Sequence, residues 1–170
     1  MMLQDVDFKD ANSIVKPAGL GARDTLRTEA GMPLYGHELG EEINALECGV
    51  DFAVSLDKDQ GEKGEPFIGM EALKRVRDAG GPKRKLAGLV IEGKRSARQG
   101  MVVKHGGREV GVVTSGCPSP TLGNCIAMAF LDTEHHAPGT ALQIDMGGER
   151  GVLLDAKVAP LPFYKMPKAG

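Results

Sequence analysis

Glycine is the residue that most constrains how this chain can fold. The 170 residues include 24 glycines and 10 prolines, and the glycines are spread along the chain rather than repeated at a fixed spacing. This is about twice the glycine content of an average protein. The lack of a repeat excludes a collagen-like or low-complexity chain. Many scattered glycines predict many tight turns, and many tight turns predict short strands.

The second half of the chain has a strand pattern that begins after Gly80-Gly81-Pro82, the clearest break in the sequence. Apolar and polar residues alternate there, as in strands with one buried face. Glycine pairs at 106–107 and 147–148 separate neighbouring stretches, and the positive φ angles of tight hairpin turns favour glycine. Six short strands with such links indicate a small antiparallel barrel or a jelly-roll-like sandwich. The predicted strands are Leu86–Glu92, Met101–His105, Arg108–Ser115, Cys125–Leu131, Thr140–Met146 and Glu149–Val158.

The first half of the chain has apolar residues at helical spacing. Two stretches, Ala22–Gly31 and Phe67–Ala79, each place apolar residues on one face and end close to glycine and proline. The sequence therefore predicts an α+β protein that is mainly β. A helix-containing region covers residues 1–81, and a six-stranded antiparallel barrel or jelly-roll-like domain covers residues 82–170.

Charge, hydropathy and cysteine content exclude several classes of protein. The chain has 21 basic and 23 acidic residues, and a net charge of −2 argues against a general nucleic-acid binder. No apolar run approaches the ~20 residues that cross a membrane. The first residues lack the pattern of a signal peptide. Three scattered cysteines, at positions 48, 117 and 125, do not form a disulfide framework, so a reducing, cytoplasmic location is expected.

Charged residues form two opposed blocks. Nine acidic residues lie between Glu38 and Glu65, and eight basic residues lie between Lys83 and Arg108. Blocks of this kind are usually solvated faces, and that interpretation is preferred here. The alternative is that the basic block is a docking surface for an acidic partner.

Three local motifs predict no chemistry of their own. Gly19-Leu20-Gly21 lacks the third glycine of a dinucleotide fingerprint and the lysine of a phosphate-binding loop, so a tight turn before a helix is preferred. The four histidines and three cysteines lack metal-ligand spacing, so no metal site is predicted. No base can be assigned to Cys117, which is predicted to be a turn residue.

Two arginines on the first predicted helix form the most informative local feature. Arg23 and Arg27 are four residues apart, so they share a helix face where like charges repel, and Asp24 and Glu29 fall off that face. Either a buried carboxylate or an anionic ligand could neutralise one of them. Arginine presents a planar fork of donors that suits carboxylates and the amide edge of a heterocycle. By itself the spacing slightly favours a structural salt bridge over a ligand.

Three ordered motifs resemble the aminomethyltransferase (T-protein) family of the glycine cleavage system. The first is Ala18–His37, with the sequence AGLGARDTLRTEAGMPLYGH. The second is Phe67–Leu73, FIGMEAL, and the third is Val113–Leu122, VTSGCPSPTL, followed by Ile126–Met128. The resemblance covers about Lys16–Tyr164 but corresponds only to the C-terminal half of the family. It implies that residues before about 81 complete a folate-binding region and that the remainder is the family's C-terminal β-barrel.

The resemblance also implies an activity and two partners. The family transfers the one-carbon unit of an aminomethyl-lipoyl arm, carried by the H-protein, to tetrahydrofolate and releases ammonia. Its catalytic aspartate lies in the N-terminal half, so no catalytic residue is expected in this chain, and the chain by itself is expected to be inactive. The location would be cytoplasmic, or mitochondrial in a eukaryote. A half-protein would expose apolar surface, so self-association is also expected.

The resemblance assigns roles to individual residues. Arg23 matches the arginine of the family's Ala-Arg-Asp signature and is expected to contact folate. Arg27 would then find an internal partner such as Glu29 or Asp51. Arg98 and Tyr164 have either a folate-binding or a structural role.

The remaining expectations concern loops and rival functions. The stretch Ser115–Leu122 is expected to be a strand-end loop that shapes the barrel rim, and the block Lys83–Arg108 could dock an acidic carrier or a polyglutamate tail. One alternative is that the chain is a non-enzymatic folate-binding relative. Such relatives carry a Lys-Gly-Cys motif, and the comparable stretch of this chain, Asp59–Glu65, lacks the cysteine. Another is the folate-transfer module of a sarcosine- or dimethylglycine-oxidising enzyme.

Overall fold

The computed structural model describes residues 10, 12–13, 15–60, 64–148 and 151–165. The opening residues, on which the signal-peptide expectation rests, lie outside these ranges. The described ranges contain two α-helices, two short 3₁₀ helices and six strands. These are α1 (Leu20–Glu29), the 3₁₀ helix Asp51–Ala53, α2 (Met70–Asp78), β1 (Arg84–Ile91), β2 (Val102–His105), β3 (Arg108–Ser119), β4 (Asn124–Asp132), the 3₁₀ helix Thr133–His135, β5 (Ala141–Asp145) and β6 (Leu153–Ala159).

The six strands form a closed antiparallel barrel in the order β1-β4-β3-β2-β5-β6. Strand β1 pairs over its full length with β4, from Arg84 opposite Asp132 to Ile91 opposite Cys125. Its second half also pairs with β6, and this pairing closes the barrel. The structure thus confirms the mainly β architecture, and of the two predicted forms it is the barrel. Closure removes the free sheet edges that an open sandwich would leave.

Strand β4 is buried on both faces, and this organises the whole molecule. One face, with Ala127, Ala129 and Leu131, lies in the core inside the barrel. The other face carries Met128 and Phe130, which form a second apolar cluster outside the barrel. That cluster is completed by Leu86 of β1 and by residues from the segments before and after the barrel: Leu39, Ile43, Cys48, Val50, Leu161 and Phe163.

The glycine pair at 106–107 closes a hairpin as predicted. His105 pairs with Arg108 across the turn, and the two glycines have φ angles of 56° and 82°. Such angles are strained for other residues, so glycine is required there.

Three sequence expectations about strands and turns are wrong. The pair at 147–148 does not form a two-residue turn, because β5 ends at Asp145 and β6 begins only at Leu153. The predicted strand start, Glu149, and its neighbour at 150 lie outside the described residues. Strand β3 continues to Ser119, so most of the expected loop Ser115–Leu122 is strand, and Cys117 is a strand residue rather than a turn residue.

Candidate functional site

Helix α1 lies against β3 and is held there by the buried guanidinium of Arg27. Its Nη1 atom lies 3.0 Å from Oε2 of Glu38, and its Nη2 donates to the hydroxyl of Ser115 at 2.7 Å. Its Nε donates to Oδ1 of Asp24 at 2.7 Å. The chain therefore neutralises this arginine internally, with one fully buried carboxylate and one half-exposed carboxylate.

Glu38 and Ser115 complete a cluster in which each oxygen has a partner. The hydroxyl of Ser115 donates to Oε1 of Glu38 at 2.6 Å, and the backbone N–H of Leu34 donates to Oε2 at 2.9 Å. A register shift between Val113 and Ser115 marks a bulge at this point of β3. Buried charges are tolerated only when they are paired and hydrogen-bonded. We therefore infer that the cluster of Arg27, Glu38 and Ser115 fixes α1 on the barrel.

The C-terminal end of α1 has a second buried carboxylate, Glu29. The hydroxyls of Ser119 and Thr121 donate to its two oxygens at 2.5 and 2.8 Å, and the backbone N–H of Thr121 adds a weaker bond at 3.3 Å. Burial alone raises the pKa of Glu29, but these hydrogen bonds outweigh burial and hold the pKa below its ordinary value. Glu29 therefore stays ionised without a cation, as part of the contact between α1 and the end of β3.

Arg23, one turn before Arg27 on the same helix, is exposed. It borders an open apolar cleft of about 510 Å³ whose walls include Leu26 and Met32. It also borders a second open cleft of about 410 Å³, which it shares with Asp24 and His37. An exposed guanidinium between two concave surfaces has donors free to take up an anion or a polar ring edge.

Neither Arg98 nor Tyr164 borders the two clefts beside Arg23. Arg98 is exposed in the β1–β2 connection, and the neighbouring Gln99 donates to the carbonyl of Gly36 at 3.4 Å. Tyr164 follows β6, and its backbone N–H donates to the carbonyl of Glu29 at 3.0 Å.

The partner expected for Arg27 is wrong. Neither Glu29 nor Asp51 neutralises it, because Glu29 binds Ser119 and Thr121 instead. The actual partner, Glu38, is eleven residues further along, and no helical spacing signals such a contact. The exclusion of Asp24 is also wrong, because the long arginine side chain reaches back one turn.

Three further findings concern Cys117, clusters of metal-binding side chains and membrane-spanning helices. Burial raises the pKa of the Cys117 thiol, and this disfavours the thiolate that a nucleophile requires. In the described ranges, no group of three or more histidine, cysteine, aspartate or glutamate side chains is arranged to hold a metal ion. No described helix has the length and apolar character needed to cross a membrane.

The chain is thus a six-stranded antiparallel barrel that carries a helix-bearing N-terminal segment on its outer face. The model of the glycine cleavage T-protein C-terminal barrel domain matches residues 84–165. The model of the GCVT N-terminal domain matches residues 8–58. Between them the two models match most of the chain. The chain belongs to the glycine cleavage T-protein family.

Individual relatives agree with this assignment. The chain is 47% identical over 152 residues to an aminomethyltransferase of Saccharopolyspora erythraea, covering 89% of this chain and 39% of the relative. It is 50% identical over 149 residues to an aminomethyltransferase of Rubrobacter xylanophilus, covering 88% and 37%. The chain therefore spans well under half the length of these curated relatives.

A solved structure shares the fold. The glycine cleavage system aminomethyltransferase T of Bartonella henselae superimposes with a TM-score of 0.76 at 30% identity. The superposition covers 86% of this chain and 39% of that structure.

Proposed function

We propose that this chain forms part of an aminomethyltransferase, which transfers the one-carbon unit of aminomethyl-lipoyl H-protein to tetrahydrofolate and releases ammonia. The observation that carries the proposal is the contrast between two arginines on α1. Arg27 is buried among Asp24, Glu38 and Ser115, whereas Arg23 is exposed beside two open clefts. Arg27 forms ion pairs with the carboxylates of Asp24 and Glu38. Arg23 is therefore the arginine of α1 that is available for a ligand.

The surroundings of Arg23 suit a folate. Leu20, Leu26 and Met32 give the larger cleft an apolar wall for a flat ring system, and the guanidinium supplies donors for its polar edge or for a carboxylate. A pocket that holds two reactants together lowers the entropic part of the barrier. In this proposal, Arg23 binds and orients tetrahydrofolate, and Arg98 and Tyr164, which border neither cleft, would contact only a part of the ligand that extends beyond the clefts.

The catalytic aspartate that the family resemblance implies belongs to a part of the relatives that this chain does not match. We therefore propose that residues 1–170 by themselves bind folate and H-protein but transfer little. Ammonia release should be measured with aminomethyl-lipoyl H-protein and tetrahydrofolate. Release at the rate of a full-length relative, such as the Rubrobacter xylanophilus enzyme, would contradict this part of the proposal.

The folate-binding role of Arg23 can be tested directly. Isothermal titration with 5-formyltetrahydrofolate, a stable reduced folate, should show Arg23→Gln binding about tenfold or more weakly, since a charged hydrogen bond contributes about 1.5–3 kcal/mol. Arg75→Gln is the matched control, because it removes the same charge from an exposed position on α2. Equal loss in both variants would indicate a general charge effect and remove the assignment.

Two further parts of the proposal concern organisation and location. We propose that the chain divides into two domains near residues 81 and 82, which is supported by the positive φ angles of Gly80 and Gly81, 99° and 93°.

A reducing, cytoplasmic location is supported by the cysteines, since Cys48, Cys117 and Cys125 are all buried free thiols. Self-association through the exposed apolar side chains of Phe52 and Ile68, which lie outside the folate cleft, belongs to the same proposal.

A further inference from the structure

His37 has a hydrogen-bond pattern that fixes which ring nitrogen carries the proton. Its Nδ1 atom lies 2.9 Å from the carbonyl oxygen of Thr114. A carbonyl oxygen can only accept a hydrogen bond, so Nδ1 must be the donor. In the neutral ring the other nitrogen, Nε2, then has a free lone pair and is an acceptor.

The hydroxyl of Ser115 supports the same tautomer. It lies 3.3 Å from Nδ1 of His37, but its single proton is used on the carboxylate of Glu38 at 2.6 Å. Since the hydroxyl has no second proton, it can only accept from Nδ1. The cluster that fixes α1 on the barrel thus also fixes the His37 ring.

Nε2 makes no hydrogen bond to any residue in the described part of the chain. His37 borders two clefts: one of about 410 Å³, which it shares with Arg23 and Asp24, and one of about 420 Å³, whose walls include Thr114 and Phe130. The first cleft therefore brings a cationic donor, Arg23, close to a ring that offers one acceptor in its neutral form. The Oδ1 atom of Asp24 is used on Arg27, so Oδ2 is the oxygen of Asp24 that remains as a rival acceptor in this cleft.

We propose that His37 determines ligand specificity in this cleft: its Nε2 accepts a hydrogen bond from a ring N–H of a bound reduced pterin, while Arg23 donates to the ligand. This inference rests on the proposed function and adds a residue to it. A ring that offers an N–H is accepted, whereas a ring that offers only a lone pair at that point faces the lone pair of Nε2 and is rejected.

Two substitutions test the roles of the two ring nitrogens of His37 separately. An asparagine amide lies where Nδ1 lies, so His37→Asn keeps the bond to Thr114 and loses the group in the cleft. A glutamine amide reaches the position of Nε2, so His37→Gln keeps the group in the cleft and loses the bond to Thr114. One neutral hydrogen bond contributes about 1 kcal/mol, so His37→Asn should bind 5-formyltetrahydrofolate about fivefold more weakly with unchanged stability. His37→Gln should bind it within about twofold of the parent but unfold at lower urea.

A matched control comes from His105. Its Nδ1 lies 3.0 Å from the carbonyl of Ala141, so its tautomer is the same, but it lies in a different cleft from Arg23. Long-range ¹H–¹⁵N spectra should show Nδ1 protonated in both histidines. Titration with 5-formyltetrahydrofolate should move the Nε2 resonance of His37 and leave that of His105 in place. His105→Asn should leave affinity unchanged.

The outcomes distinguish the inference from the function on which it rests. If the parent chain binds no 5-formyltetrahydrofolate, the proposed function fails. If the parent binds and His37→Asn binds equally well, the function stands and the role of His37 is overturned. If affinity falls in both His37 variants in proportion to stability, the ring is structural and the inference is again overturned.

Discussion

Arg23 and Arg27 show how one residue type takes two roles within a single helical turn. Both project from α1, but Arg27 meets Glu38 and Ser115 on the barrel side, and Arg23 meets solvent in two clefts. The difference comes from what the barrel presents beneath each position and not from the helix. Identical charges at helical spacing therefore do not repel here, since one of them is neutralised internally.

The Arg27–Glu38 pair leads to a prediction about stability. Arg27→Met leaves the fully buried Glu38 carboxylate without its cation, and this should lower the free energy of unfolding by about 3–5 kcal/mol. Replacing both residues, as Arg27→Met with Glu38→Leu, removes the unpaired charge and should cost clearly less than the sum of the single changes. Urea unfolding of the three variants measures the difference. Strictly additive losses would show that the two side chains are not coupled.

Glu29 leads to a prediction about pH. Its folded pKa lies below the ordinary value of 4.5, so its ionised form contributes stability above that pH, and the contribution is lost as pH falls through the folded value. Glu29→Gln should therefore be less stable than the parent at pH 7, and the gap between the two unfolding free energies should narrow in acid. Urea unfolding from pH 7 to pH 3 measures it, with the exposed Glu41→Gln as a control. A gap that stays constant with pH would contradict the pKa shift.

At the scale of the elements, β3 is longer than its turn-rich sequence suggests. The stretch from Ser115 to Ser119 contains glycine and proline, which usually end strands. It remains strand because β4 pairs with it up to Asn124, opposite Ser119. The same pairing brings Ser119 to Glu29 at the end of α1 and Ser115 to Glu38 in the segment that follows α1.

Gly116 has a specific purpose in that strand. A Cβ atom at this position would lie 2.5 Å from the carbonyl oxygen of Ala97, which is a backbone atom that cannot rotate away. Gly116→Ala should therefore destabilise the protein by about 1–3 kcal/mol. Gly21→Ala, within α1 and with open space around it, should instead stabilise by about 0.5–1 kcal/mol, because alanine favours helix. Thermal unfolding measures both, and equal shifts would contradict the close approach at residue 97.

At the scale of the whole molecule, the segments before and after the barrel are held on its outside by one strand. Strand β4 contributes one face to each apolar cluster, so residues 39–50 and 161–163 cover the barrel next to α1. The exposed apolar side chains are concentrated on the N-terminal segment, with Leu20 and Phe52 more than 80% exposed. Leu20 and Phe52 lie in the part of the chain, residues 8–58, that the model of the GCVT N-terminal domain matches.

The basic block from Lys83 to Arg108 gives a prediction at this scale. Arg95 and Arg98 are exposed in the β1–β2 connection, on the segment that reaches Gly36 through Gln99. The double change Arg95→Glu with Arg98→Glu should weaken association with lipoylated H-protein at low salt, and the effect should shrink as salt rises. Surface plasmon resonance at several salt concentrations measures it. The control, Lys58→Glu with Arg75→Glu, reverses two exposed charges elsewhere, and an equal loss there would remove the docking assignment.

Local chemistry in the sequence determined the number and order of the elements. Alternating residues, the Gly106-Gly107 turn and the break at 80–82 depend on neighbours in the chain, so both helices and all six strands could be predicted. The motif around Arg23 selects it as a folate-binding residue, and that role stays a prediction.

Only the tertiary structure decided which partners the buried charges have and where the His37 proton lies. Ser115 and Glu38 are 77 residues apart, and Ser119 and Glu29 are 90 apart. Contacts at such separations leave no periodic trace in a sequence. They exist because barrel closure fixes β3 beneath α1, and only that arrangement shows which arginine remains exposed.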